Sequence, residues 1–228
     1  MKILLVAATE FEVRPLLAHL LPMQVDDKLM RNYRLEKLDI DLLITGIGMI
    51  HTAFHLGKVL AAKKYDFAIN AGIAGAYNST TELGKVVNVT RECVAELGTE
   101  EGERFLSFFE LGLMDPNVFP YRSGYLFSEK WPDLPTLRDL PRLPGNTVNQ
   151  IHALPETIDA LKLQYPAEVE TMEGAAFLYG CLFEGIPCVQ IRSFSNHVRE
   201  RDKSHWQIPL AVDNLNKTVI KILQELCT

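Results

Sequence analysis

The sequence predicts an α/β fold in which helices pack on a mostly parallel sheet. Two observations carry this. Short apolar runs alternate with helix-period segments along most of the 228 residues, and small or polar residues gather where several of the runs end. In such sheets ligands bind beyond the C-terminal ends of the strands, so the residues at those ends are the first candidates for a site.

Residues 2–8 form a compact apolar run that reads as a buried strand, and a helix is expected from Glu10 toward Leu20, placing Glu12 just past the strand's end. Residues 33–38 and 40–44 suggest two further strands. Gly46-Ile47-Gly48 then leads into a helix over residues 49–63. Residues 65–70 read as the next strand, ended by the small residues of Ala71-Gly72-Ile73-Ala74-Gly75. Residues 97–145 break the rhythm, with six of the chain's twelve prolines between Pro116 and Pro144 and aromatics at Phe105, Phe119, Tyr121 and Trp131. This loop-rich insertion reads as a cover, a subunit contact or a plain surface elaboration. Helices are expected again over residues 155–164, 172–184 and 209–226, with an apolar run at 186–191. The whole chain, 1–228, reads as one domain.

Composition leaves function to the sites. Hydrophobic residues make up 47% and charged residues 23%, ordinary for a globular protein. A formal charge of −6 does not supply the basic surface that neutralising nucleic-acid phosphates requires, so no nucleic-acid partner is expected. The N-terminus reaches Glu10 too soon for a signal sequence and no apolar run approaches a membrane span, so a cytoplasmic protein without a membrane partner is expected. Cys93, Cys181, Cys188 and Cys227 lack CxxC spacing and sit among apolar neighbours, which reads as buried thiols.

Several motifs fall short of the chemistry they suggest. Gly46-x-Gly48-x-x-His51 starts like a dinucleotide fingerprint, but His51 stands where close helix–strand packing wants a third glycine. His51 and His55 are spaced i, i+4 without the glutamate of a zinc protease, and no G-x-S-x-G occurs. No metal and no cofactor is expected. Glu170-Thr171-Met172-Glu173-Gly174-Ala175-Ala176 puts Glu173 at a strand-to-helix corner, while Arg192-Ser193-Phe194-Ser195-Asn196-His197 ends an apolar run in side chains able to read a base. Glu12 and Glu173 each suit a helix's first turn on dipole grounds alone, and Met172 suits a core, so these residues have structural as well as functional readings.

The order of Thr9-Glu10-Phe11-Glu12-Val13, Thr45-Gly46-Ile47-Gly48, residues 70–75, residues 170–176 and Arg192-Ser193-Phe194-Ser195-Asn196 resembles that of the purine nucleosidases and phosphorylases over nearly the whole chain. Within them, Ser195-Asn196-His197-Val198-x-x-Arg201-Asp202-Lys203-x-x-Trp206 resembles the futalosine hydrolases most, with the methylthioadenosine/S-adenosylhomocysteine nucleosidases as the alternative relatives. The resemblance implies three αβα layers around a mixed, mostly parallel sheet, a homodimer, and a small-molecule nucleoside substrate. It implies that Glu12 activates water, that Glu173 and Met172 hold the ribose with Arg192 beside them, and that Asn196 with Ser195 reads the base. Asn196 replaces the aspartic acid of the adenine nucleosidases. An amide donates and accepts but does not transfer a proton, which favours a 6-oxopurine such as hypoxanthine. Ile73, following Gly72, stands where related enzymes carry a hydroxyl for phosphate or water, which favours hydrolysis. Ile151 aligns with the base-stacking position, with core packing as its other reading. The run Arg199-Glu200-Arg201-Asp202-Lys203 reads as a solvated face or as a cation site in which Arg201, or Arg122 of the insertion, pairs with a substrate carboxylate.

Overall fold

The computed structural model describes residues 1–25, 29–102, 104–199 and 202–228. Strand β1 (Lys2–Ala7) turns Ile3, Leu5 and Ala7 to one face and Leu4 and Val6 to the other, the alternation of a strand covered on both sides. Helix α1 (Glu10–Leu17) starts from Thr9 and stops short of the expected Leu20, because His19 and Leu20 donate to carbonyls only three residues back and turn the chain into β2 (Leu21–Val25). β3 (Met30–Leu35) and β4 (Leu38–Ile44) meet at a tight turn where Glu36 takes φ 50°, so the expected boundary near residue 39 moves back to residues 36–37.

After α2 (Met49–Ala62), β5 (Phe67–Ala76) does not end at Asn70 but runs on through the small residues. Those residues are strand and not turn because partners flank them on both sides, as the sheet order below shows. The remaining elements are β6 (Val86–Val94), β7 (Gly98–Glu101), β8 (Arg104–Ser107), β9 (Leu126–Phe127), α3 (Pro135–Asp139), β10 (Arg142–Thr147), α4 (Pro155–Gln164), β11 (Val169–Thr171), α5 (Gly174–Phe183), β12 (Cys188–His197) and α6 (Ile208–Leu226). The insertion is thus less irregular than its prolines suggest: it holds the β7–β8 hairpin, and β10 passes through Pro144 at a register shift, where a missing N–H is tolerated.

The main sheet runs β2-β3-β4-β1-β5-β12-β6-β10-β11, and β11 also pairs with β5. β4, β1, β5 and β12 are parallel, whereas β2–β3, β3–β4, β12–β6 and β11–β5 are antiparallel. The return of β11 to β5 closes the second half of the sheet around Ala74, Ala76, Val87, Val89, Val169 and Phe194. One face of the open half is covered by α1, α3 and α6 through Leu16, Leu137, Leu215 and Ile222, the other by α2 and α5 through Leu56, Leu60, Phe177 and Leu178. Parallel registry carries the ends of β1, β4, β5 and β12 to one edge, so residues as distant as Glu12, Gly48, Ile73 and Arg192 meet there.

Candidate active site

A cavity of about 310 Å³ opens at that edge, lined by Thr9, Glu12, Ile73, Ile151, Met172, Glu173, Ser195, Asn196 and Trp206, with Thr171 and Glu170 beneath. Eight of the ten residues singled out from the sequence fall in or against it. Arg201 lies outside the described residues, and Gly72 acts from behind the wall.

Glu12 occupies the third position of α1. One carboxylate oxygen accepts from the Thr9 N–H and Oγ–H, each at 2.9 Å, and the other accepts from the Ile73 N–H at 3.1 Å. One oxygen thus closes the capping box at the start of α1, while the other turns to the end of β5. Burial pushes the Glu12 carboxyl above the usual carboxylate range, with Arg192 pulling it down and Glu173 adding to the rise. Glu173 stands at the N-cap of α5, at the expected strand-to-helix corner. It accepts from the Gly48 N–H at 3.1 Å, and its second oxygen lies 3.5 Å from Arg192 Nη2. Of the two early glycines, Gly48 thus brings its backbone to a carboxylate, while the Gly46 N–H donates to the Ala8 carbonyl at 2.9 Å. Gly48, at φ 96°, adopts a conformation that disfavours any side chain.

Arg192 is the largest fully buried side chain, 1% exposed. Its Nη2 donates to Asn70 Oδ1 and to Gln190 Oε1 at 3.1 Å as well as facing Glu173. A Cβ on residue 72 would sit 1.9 Å from Arg192 Nη1 and 3.0 Å from Glu12 Oε1. Gly72 is therefore the gap that admits the guanidinium, and its absent side chain serves Arg192 first.

Farther along β5, Gly75 pairs with Asn196 across a bulge in β12. The bulge sets Ser195 so that its hydroxyl donates to Asn196 Oδ1 at 2.8 Å, while Asn196 Nδ2 donates to the His197 carbonyl at 3.2 Å. Around this amide the wall is apolar and partly open: Ile151 is 45% exposed, and Trp206 follows a short 3₁₀ turn at Lys203–His205. The Gln207 N–H donates to the Ser195 carbonyl at 2.8 Å, tying the start of α6 to the same strand end. Arg122, the alternative cation, is 2.7 Å from Glu129, stacks on Phe127 and does not line the cavity.

Four contributors escape a reading of the sequence alone. Thr171 and Glu170 carry no role in the motif around Glu173, yet both line the cavity. Gln190 was read as part of an apolar run but bridges Arg192 to Glu92, a carboxyl on β6 with no exposed surface. Glu92 carries no motif. The signal for it was a charged residue inside a β-branched run, residues 86–94. Among the described residues no three His, Cys, Asp or Glu side chains gather as a metal site would require.

No protein-family model matches the chain. Over 186 residues it is 34% identical to the futalosine hydrolase of Thermus thermophilus, covering 80% of each chain. In fold it is similar to the futalosine hydrolase of Helicobacter pylori (TM-score 0.79, 15% identity, 99% of this chain and 98% of that one). It is equally similar to the 5'-methylthioadenosine/S-adenosylhomocysteine nucleosidase of Neisseria meningitidis, solved in complex with methylthio-immucillin-A (TM-score 0.80, 18% identity, 98% of each chain).

Proposed function

The chain belongs to the futalosine hydrolase family, and from that premise we propose that it cleaves the N-ribosidic bond of futalosine with water, releasing hypoxanthine and dehypoxanthine futalosine on the route to menaquinone. The observation that carries the reading is the convergence of Glu12, Glu173 and Asn196, from three distant elements, on one cavity.

Breaking this bond develops positive charge on the ribose and negative charge on the departing purine, so the two halves of the cavity need opposite chemistry. Glu12 is the general base: it is fixed by the Thr9 and Ile73 N–H groups, and its raised carboxyl is a stronger base than a free glutamate toward the attacking water. Glu173 accepts from ribose hydroxyls, held in place by Gly48 and Arg192, and Met172 packs against the sugar. Gly72 makes room for Arg192, and Ile73 denies phosphate a hydroxyl partner. Asn196, oriented by Ser195, holds the O6/N7 edge of hypoxanthine, and Ile151 stacks on the ring. Arg201 serves the carboxylate at the far end of futalosine.

The protein acts as a cytoplasmic homodimer. Phe119, Tyr179 and Phe183 form an exposed ring cluster on and beside α5, next to α2 with its exposed Ile50 and Phe54, an apolar area that a second copy would cover. Incubating the protein with futalosine, methylthioadenosine and inosine, with and without phosphate, tests the reading. Hypoxanthine released from futalosine without phosphate supports it, whereas adenine release alone or strict phosphate dependence overturns it.

A further inference from the structure

Beneath the wall of the cavity lies a carboxyl that the mechanism does not use. Glu92 has no exposed surface, and every described partner it has is a donor: Thr147 Oγ1 at 2.9 Å, Thr171 Oγ1 at 3.0 Å and Gln190 Nε2 at 2.7 Å. The backbone is shaped around it. A Cβ on Gly174 would come within 2.2 Å of Glu92 Oε1, and one on Gly145 within 2.7 Å, so side chains at either position would collide with the carboxyl. A buried carboxylate is costly to keep, which makes its surroundings informative.

We propose that Glu92 is a positioning residue for the hydrolytic reaction, fixing Glu173 from two directions at once. The first route runs through the start of α5. Thr147 Oγ1 accepts from the Ala175 N–H at 2.7 Å while donating its own proton to Glu92, so the negative charge is relayed to the positive end of the helix whose N-cap is Glu173. The second runs through Gln190. A carboxylate only accepts and a guanidinium only donates, so Glu92 and Arg192 together dictate which way the Gln190 amide faces: its NH₂ toward Glu92, its oxygen toward Arg192 Nη2. Arg192 thereby keeps the orientation that brings it to Glu173. Thr171, which lines the cavity, hangs from the same carboxyl. With a neutral group at position 92 the Gln190 amide loses its imposed direction, and Glu173 loses one anchor on each side.

The inference rests on the proposed hydrolysis of futalosine, and its test separates the two. At pH 8, kcat and KM for futalosine and the thermal midpoint are measured for the wild type, E92Q, Q190E and the swap E92Q/Q190E, in which amide and carboxylate exchange places and the N–H···O link is restored with reversed polarity. E92Q is expected to lose about fivefold or more in kcat, as removal of a charged hydrogen-bond partner does. KM should stay within about threefold and the midpoint should not fall, with the swap recovering part of the loss. A kcat reduced by less than about fivefold, a loss confined to KM, or a loss that tracks a lowered midpoint and that the swap leaves unchanged overturns the proposal. If E92Q does not fold, the swap decides: kcat within about tenfold of wild type supports the link, and a greater loss overturns it. A wild type that leaves futalosine intact refutes the proposed function instead.

Discussion

The two halves of the cavity are built on different principles. Around Glu12, Glu173 and Arg192 the side chains are almost wholly buried, each carboxylate is held by backbone N–H groups, and a further carboxyl lies behind them. Around Asn196 the contacts are one hydroxyl and one carbonyl, and the wall is half-open and apolar at Ile151 and Trp206. A preorganised charged region suits the atoms where charge develops, because its groups need not reorganise during the reaction. A looser, apolar region suits recognition of a flat base. The difference implies that substitutions in the first half cost rate, with stability lost where an ion pair is broken, and those in the second cost selectivity and affinity.

The largest expected effect is at Glu12. Glu12→Gln removes the proposed base and should lower kcat by about 10²–10⁴-fold with KM little changed. A loss under tenfold would move the base elsewhere. Because burial holds this carboxyl above its ordinary value, the acid side of the wild-type kcat/KM profile should lie above the usual carboxylate range, with activity falling as pH drops and Glu12 takes up a proton. Next comes Arg192→Met, which leaves Glu173 buried beside a neutral side chain. Breaking one partner of such a pair should cost about 3–5 kcal/mol of stability in urea unfolding, and an effect below 1 kcal/mol would mean the pair is incidental.

Glu92 links stability to pH with the opposite sign from most acids. Burial raises its carboxyl from an ordinary value of 4.5 to about 7, against the pull of Gln190, Thr147 and Arg192. The folded protein therefore binds the proton more tightly than the unfolded chain, so its contribution is fully present below about pH 4.5 and is lost as pH rises through about 7. The loss is on the order of 3 kcal/mol, and Glu92→Gln should flatten it. Equal pH slopes for variant and wild type would show that this carboxyl does not titrate so. In the other half of the cavity, Asn196→Ala should lower kcat/KM for futalosine by roughly 10–100-fold, the cost of losing the hydrogen bonds proposed to read the base, without lowering the thermal midpoint. Ile151→Ala is the mildest, raising KM by roughly tenfold or less at constant kcat, as expected for lost stacking area. A large kcat effect there would erase the distinction between the two halves.

The sequence showed the front of the site better than its support. Glu173 at a strand-to-helix corner, Glu12 after the first strand and Asn196 after an apolar run are legible because each sits where one local pattern changes into another, and the structure places all three on one cavity. The strand expected over residues 65–70 runs on through the small residues 71–75 for a tertiary reason that local sequence does not encode: β12 and β11 flank them, and Gly72 leaves space for Arg192. Glu92 and Gln190 stayed hidden because their partners lie on other strands, 55, 79 and 98 residues away for Glu92, and no local spacing encodes such a contact. Likewise β10 was obscured by Pro144, whose strand position depends on a register shift visible only once β6 is beside it.

The central assignment, that the buried acidic half directs water to the ribosyl carbon of a 6-oxopurine nucleoside, is tested most directly by running wild-type turnover of futalosine in ¹⁸O-labelled water containing phosphate. The expected result is hypoxanthine together with a ribosyl product carrying one labelled oxygen at the carbon that held the base, at a rate indifferent to phosphate. A ribosyl phosphate product, or futalosine left intact while methylthioadenosine yields adenine, would contradict it.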